Sequence, residues 1–276
     1  MIKSLFSCSE YVKYKVCDAC QLGKQVRSSF KKKMNASTSR CLELLHLDLF
    51  EPNSVASFGG KCYAFVIVDD YSRLTWVYFL AKKIEVASVL AKFCKQVQNE
   101  KQCSIINIRS DGGREFKNDD VISYCDKHDY THNFSTPRSP QQNGVVERKN
   151  MTLQDMARTM LNENRLPTYF WAEAVSTAYH MVNQVSICRR LNKTPYEIWN
   201  GKTPNISYFK VFGCKCFILN DNDNLGKFDA KSDYGIFLGY ATNNKAYRVY
   251  NKRTLEVEET MDVVFEEADP FLSRKV

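Results

Sequence analysis

Between residues 40 and 205 the hydrophobic period switches several times between two residues and about 3.6, and this switching narrows the possible folds more than any other feature. Residues 44–49 alternate, with Leu45, Leu47 and Leu49 on one face and His46 and Asp48 on the other. Residues 62–70 and 74–80 are β-rich runs joined by Asp70-Tyr71-Ser72-Arg73, which reads as a hairpin. Residues 85–100 read as a helix, with Val86, Val89, Leu90, Phe93 and Val97 on one stripe. A short strand over 105–108 ends at Ser110-Asp111, and a second helix covers 119–128. A Pro-rich polar loop over 136–144 then leads into a long helix over 145–162. Strand, hairpin, helix, strand, helix, loop, helix predicts a mixed α/β sheet with helices on its faces. From about residue 208 the pattern turns to β: runs over 209–219, 234–240, 246–251 and 256–265, with Asn243-Asn244 at a turn, read as short strands. No internal repeat is visible.

Composition sets the outer limits. A hydrophobic content of 44% and an aromatic content of 13% suffice for a buried core, which argues against wholesale disorder. Apolar runs such as 63–68 are far shorter than the roughly 20 residues that span a bilayer, and the start shows no secretory signal, so no membrane role is expected. Charge is uneven. Residues 1–40 hold nine Lys/Arg against two Asp/Glu, a net of +7, which leaves +1 of the total +8 for the other 236 residues. A basic arm containing Lys31, Lys32 and Lys33 on a near-neutral body suits a nucleic-acid binder, although such arms also target nuclei or aid solubility. The expected division is a basic stretch with a linker over 1–39, an α/β body over 40–205 and a β region over 208–270. The eleven scattered cysteines read as reduced thiols, most of them small core residues. Only Cys17 and Cys20 have ligand-like spacing.

Three acids stand apart. Asp48 lies within Leu45-His46-Leu47-Asp48-Leu49, where an unpaired carboxylate is costly unless it pairs or binds metal. Asp111 caps a later strand in Ile108-Arg109-Ser110-Asp111-Gly112-Gly113, and Glu147 opens the long helix in Gly144-Val145-Val146-Glu147-Arg148-Lys149. Taken singly, Asp111 is a turn residue before glycine and Glu147 a first-turn acid favoured by the helix dipole. Taken together, they are the oxygen donors that two-metal phosphodiester chemistry requires. His46 shares the Asp48 face and reads as a packed structural histidine; Asp69 and Asp70 read as turn residues.

Asp111 and Glu147 are separated by 35 residues, the spacing of retroviral and retrotransposon integrases. Leu-His-Leu-Asp-Leu, Val68-Asp69-Asp70-Tyr71-Ser72-Arg73, Pro140-Gln141-Gln142-Asn143-Gly144-Val145-Val146-Glu147-Arg148 and Pro167-Thr168-Tyr169-Phe170-Trp171-Ala172-Glu173-Ala174 resemble integrases of Ty1/copia-type LTR retrotransposon Pol polyproteins, as found in plants, over nearly the whole chain. The resemblance implies an RNase H-like fold followed by a small SH3-like β-barrel, the latter carried by Val211-Phe212-Gly213-Cys214 and Gly235-Ile236-Phe237-Leu238-Gly239-Tyr240. It implies that Asp48, Asp111 and Glu147 bind Mg²⁺ or Mn²⁺. Water would cleave the 3′ end of element DNA, and the freed 3′-hydroxyl would attack target DNA, the protein supplying alignment and charge. It also implies a homo-oligomer acting on double-stranded DNA in the nucleus, cut from a larger polyprotein.

Further expectations follow from residues near these motifs. Gln142, Asn143, Arg148, Lys149 and Arg158 are the expected DNA contacts, with Lys31, Lys32 and Lys33, against the alternative of a solvated helix face. Val146, Leu153, Ala157, Met160 and Leu161 are the buried stripe of that helix. Cys17-Asp-Ala-Cys20 resembles the second half of an integrase zinc module, but all four histidines lie downstream of Cys20, so a truncated module with weak or no Zn²⁺ binding is expected. Cys214 and Cys216 alternate along a strand and read as core. After Asp111 this chain has Gly112-Gly113-Arg114 where the family has Asn-Gly-Gly; a position there needing positive φ would be strained by Arg114. That departure, with the missing histidines, keeps open a DNA-binding fragment without catalysis.

Overall fold

The computed structural model describes residues 38–51, 55–135, 143–220, 226–241 and 245–267. Its first sheet has five strands: β1 (Leu44–Phe50), β2 (Tyr63–Asp69), β3 (Thr75–Leu80), β4 (Asn107–Ser110) and β5 (Thr131–Phe134), in the order β3-β2-β1-β4-β5. The β1–β2 and β2–β3 pairs are antiparallel, while β1–β4 and β4–β5 are parallel. This is the mixed sheet expected from the periodicity, with one strand more. β5 escaped notice because only Thr131 and Phe134 of its four residues favour strands, and none is fully buried.

Period-two geometry sorts the side chains of the central strands onto two covered faces. Leu45 and Leu47 of β1, with Phe65 and Ile67 of β2, pack under α1 (Val86–Lys101) and α2 (Asp119–Lys127). Phe50, Ala64, Val66 and Val68 face the other way, against α3 (Gly144–Glu163) and α4 (Trp171–Val185). Asp48 therefore points to the α3 side. A short helix, α5 (Pro195–Asn200), follows; Thr194 and Glu197 form its capping box and Pro195 opens it.

A second, antiparallel sheet comprises β6 (Lys215–Leu219), β7 (Ser232–Tyr240), β8 (Tyr247–Asn251), β9 (Glu256–Thr260) and β10 (Val263–Glu266), in the order β10-β6-β7-β8-β9. Its edge strands β9 and β10 are consecutive in sequence and joined by Met261 and Asp262 alone. Two linking residues span on the order of 10 Å, whereas the outer strands of a flat five-stranded sheet lie about 19 Å apart. The sheet must therefore curl on itself, as an SH3-like barrel does. Two expectations need correction here: 209–219 is extended only from Lys215, and 256–265 is two strands, broken where no Gly or Pro announces the turn. Cys214 and Cys216 are buried in the core of this sheet with Ile218, Phe237 and Val249. All eight cysteines among the described residues are unpaired, and among those residues no helix is long and apolar enough to cross a membrane.

Candidate active site

β1 holds Asp48 at mid-strand, paired with Val66 of β2, and turns its carboxyl towards α3. There Asn150 donates its Nδ2 to Asp48 Oδ2 at 2.7 Å. Asn150 is 5% exposed and occupies the inner stripe of α3 with Val146, Leu153 and Ala157. Sequence reading passed over it; the available signal was a polar residue at the i+4 position of an otherwise apolar stripe. Asp111 directly follows β4, whose parallel pairing with β1 brings the ends of the two strands together. Its Oδ1 accepts the Gly113 N–H at 3.0 Å, an Asx-type turn that orients the carboxyl. Glu147 sits in the first turn of α3, where the helix dipole favours an acid.

The electrostatics show that the three acids are neighbours. Burial pushes the Asp48 carboxyl up to about 6, the Asp111 and Glu147 charges push it the same way, and the Leu49 N–H and Asn150 oppose the rise. Burial raises Glu147 as well, against the pull of Arg148 and with the help of Asp111. None of the three forms an ion pair among the described residues. Nor, among those residues, do any three His, Cys, Asp or Glu side chains already stand close enough to enclose a metal ion. The arrangement is an open group of carboxylates. Its donor chemistry fits a hard divalent cation: all ligands are oxygens, their summed charge is negative, and their mutual repulsion is what a cation would relieve.

Residues 39–140 match the family described as the integrase core domain, and residues 214–275 match the retroviral polymerase SH3-like domain. The retrovirus-related Pol polyprotein from transposon TNT 1-94 of Nicotiana tabacum is 36% identical over 267 residues, covering 97% of this chain and 20% of that protein. The chain belongs to the Ty1/copia-type integrase family. The Pol polyprotein from transposon RE1 of Arabidopsis thaliana is 29% identical over 255 residues, 92% of this chain and 17% of that protein. The chain thus spans about a fifth of the length of these relatives. Among solved structures, the simian T-cell lymphotropic virus intasome in complex with PP2A regulatory subunit B56 gamma aligns over 91% of this chain and 88% of its own, at 14% identity and a TM-score of 0.52. That likeness is one of fold, and the fold is RNase H-like.

Other residues singled out from sequence fall into distinct places in this integrase-family chain. Cys17, Cys20, Lys31, Lys32, Lys33 and Gln142 lie outside the described residues. Asn143, expected at the DNA, is 1% exposed and donates its Nδ2 to the Leu47 carbonyl at 3.0 Å, so its side chain ties α3 to β1 instead of reaching outward. Arg158 is exposed and pairs with Asp155 at 2.8 Å, near the Glu147 face of the helix. Arg148 and Lys149 start from another flank, about 100° and 200° around the helix from Glu147; Arg148 is exposed and still near enough to act on the Glu147 carboxyl, and Lys149 is half-buried. Burial, aided by Arg73, lowers the Lys149 ammonium to about 8. His46 turns from Asp48 to bond Asp70 through Nε2 at 2.9 Å. Asp69 accepts the Leu42 N–H and both the N–H and hydroxyl of Ser72, which makes it the organiser of the β2–β3 turn. After Asp111, neither Gly112, Gly113 nor Arg114 has positive φ, so the feared strain at Arg114 is absent.

Proposed function

We propose that this chain carries out metal-dependent 3′-end processing of element DNA and its transfer into target DNA. The observation that carries the reading is the convergence of one acid from β1, one from the end of β4 and one from the start of α3, close enough that Asp111 and Glu147 both raise the pKa of Asp48. Asp48 and Asp111, with Glu147, would hold Mg²⁺ or Mn²⁺, which supplies charge stabilisation at the phosphoryl oxygens. The chain's own contribution is placement. Asn150 fixes Asp48, the Gly113 N–H fixes Asp111, and the α3 amino terminus presents Glu147. In the first reaction a water oxygen bonds to phosphorus as the 3′-oxygen of the cleaved strand leaves and takes a proton. In the second, that 3′-hydroxyl bonds to a target phosphorus and displaces a target 3′-oxygen, so no protein-linked intermediate is needed.

The same reading takes double-stranded DNA as partner, a homo-oligomer as the active form and the nucleus as the site of action. It divides the chain into a basic zinc-module remnant over 1–39, a catalytic core over 40–205 and a barrel over 208–270. The test is joining of a short labelled DNA end to plasmid in Mg²⁺ or Mn²⁺, with Asp111→Asn as control. Products that vanish in the variant support the proposal. DNA that is bound yet never cut or joined would replace it with a non-catalytic DNA-binding role.

A further inference from the structure

A cavity of about 310 Å³ lies on the flank of α3 away from Glu147. Val145, Arg148, Lys149 and Thr152 share that flank, centred roughly 150° around the helix from Glu147. The opposite wall is formed by Arg73 of the β2–β3 turn and by Ser186 and Cys188, beyond the end of α4. Three lining residues are cations and none is a carboxylate.

Stability does not account for this arrangement. Arg148 and Lys149 stand near the amino terminus of α3, where the helix dipole disfavours positive charge by about 0.3–1 kcal/mol each. Lys149 has no ion pair or hydrogen bond to its side chain among the described residues, and Arg73 lines the same cavity. Arg73 has one acidic partner, Asp70 at 3.3 Å, which His46 and Thr38 also engage. A Cβ on Gly144 would come within 3.1 Å of the Arg148 guanidinium, so glycine leaves that group room over the first turn. Lys149 is half-buried and Arg148 exposed, neither has an ion pair among the described residues, and Arg73 keeps only its contact with Asp70, so three cations with one acid between them face a space that an anion would neutralise. Guanidinium forks beside an ammonium suit a tetrahedral oxyanion.

We propose that Arg73, Arg148 and Lys149 form a phosphate-binding site separate from the carboxylate group, occupied by a backbone phosphate of duplex DNA or by a free phosphate ion. The first source rests on the integrase reading; the second does not.

The experiment uses the full chain in two arms: calorimetric titration with inorganic phosphate at fixed ionic strength, and the salt dependence of duplex DNA binding. Lys149→Gln is compared with wild type and with Lys149→Arg, after thermal unfolding shows that both variants fold. Wild type is expected to bind phosphate saturably, Lys149→Gln roughly tenfold more weakly, and Lys149→Arg nearly as wild type. A slope of log affinity against log salt that falls by about one in Lys149→Gln, alike for unrelated sequences, assigns the site to a DNA phosphate. Weakened phosphate binding with an unchanged slope assigns it to the free ion. If Lys149→Gln alters neither phosphate affinity nor slope, the proposal is overturned. Both arms read binding, so a chain that fails the joining assay, or binds no DNA at all, still answers the phosphate question.

Discussion

A carboxyl raised to about 6 by burial and by two neighbouring acids, as Asp48 is, favours the folded state only while protonated. Its folded pKa exceeds the unfolded value of 3.8, so its stabilising contribution is complete below about pH 3.8 and is lost as pH rises through about 6. Asp48→Asn keeps an oxygen for Asn150 but removes the charge. We therefore expect it to be more stable than wild type by about 1–3 kcal/mol at pH 8, with the difference vanishing near pH 4. Urea unfolding of both proteins at the two pH values measures this, and a variant less stable at pH 8 would refute the repulsion argued here. Adding Mn²⁺ at pH 8 should raise the melting temperature of wild type and leave that of Asp48→Asn unchanged, since only the former gains a ligand in the folded state. His180 has the opposite sign. Buried against Tyr240, Phe209 and Tyr208, and bonded to the Tyr208 hydroxyl and Gln184, it is lowered by burial to about 4. Its contribution is complete above about pH 6.5 and is lost as pH falls through about 4, a difference of about 2 kcal/mol by pH 5. His180→Gln should flatten the loss of stability between pH 7 and pH 5, and an unchanged slope would remove His180 as its source.

At the scale of elements, the start of one edge strand of the first sheet is capped by a single side chain. β3 is an edge strand, and its Thr75 N–H and C=O point outward. The Asn183 amide meets both: its Oδ1 accepts the N–H at 2.9 Å and its Nδ2 donates to the carbonyl at 2.7 Å. A single amide thus imitates a neighbouring strand and links β3 to α4. Asn183→Ala leaves two buried backbone groups unpaired and should cost about 1–3 kcal/mol, with faster hydrogen exchange at Thr75 than at the central Val66. Unchanged protection at Thr75 would show that other groups satisfy this edge. Such a pairing was not legible in the sequence, because it joins residues 108 positions apart. What was legible had a local signature: the alternation around Asp48, the hairpin turn, and the helix that begins beside Glu147. β5 lacked that signature, as did the break at Met261 within 256–265. The inward turn of Asn143 was hidden for the same reason as the Asn183 cap, since its partner is the Leu47 carbonyl of a distant strand. Local pattern placed Asp48 within a strand, Asp111 at a strand end and Glu147 at a helix start, but did not disclose Asn150, whose role depends on the packing of α3 on β1.

For the whole molecule, the decisive region is the seam between the two sheets. Residues 37–276 form one compact unit, and the seam explains why. Phe212 and Leu238 from the barrel side are buried in the same cluster as Val175 and Ala178 of α4 and Val66 of β2. Polar groups fix the alignment: the Thr177 hydroxyl donates to the Leu238 carbonyl at 3.1 Å, and Asn164 donates to the Phe212 carbonyl at 2.6 Å. Gly239 makes this approach possible. Its φ is +133°, a conformation side chains rarely adopt, and a Cβ there would collide with the Thr177 hydroxyl. The β7–β8 register also shifts between Phe237 and Gly239, an irregularity of the ladder at the point where β7 meets α4. Gly239→Ala should therefore strain the backbone and break the Thr177 bond together, at about 2–4 kcal/mol. The chain's three tryptophans, Trp76, Trp171 and Trp199, all lie on the core side, so their fluorescence reports the first sheet and its helices, while far-ultraviolet circular dichroism reports both sheets. If the seam couples the two, both signals should shift to the same lower midpoint in Gly239→Ala, in one transition. A tryptophan midpoint left at the wild-type value, with the circular dichroism transition split or shifted alone, would mean that the barrel unfolds independently and that the shared cluster adds little to the core.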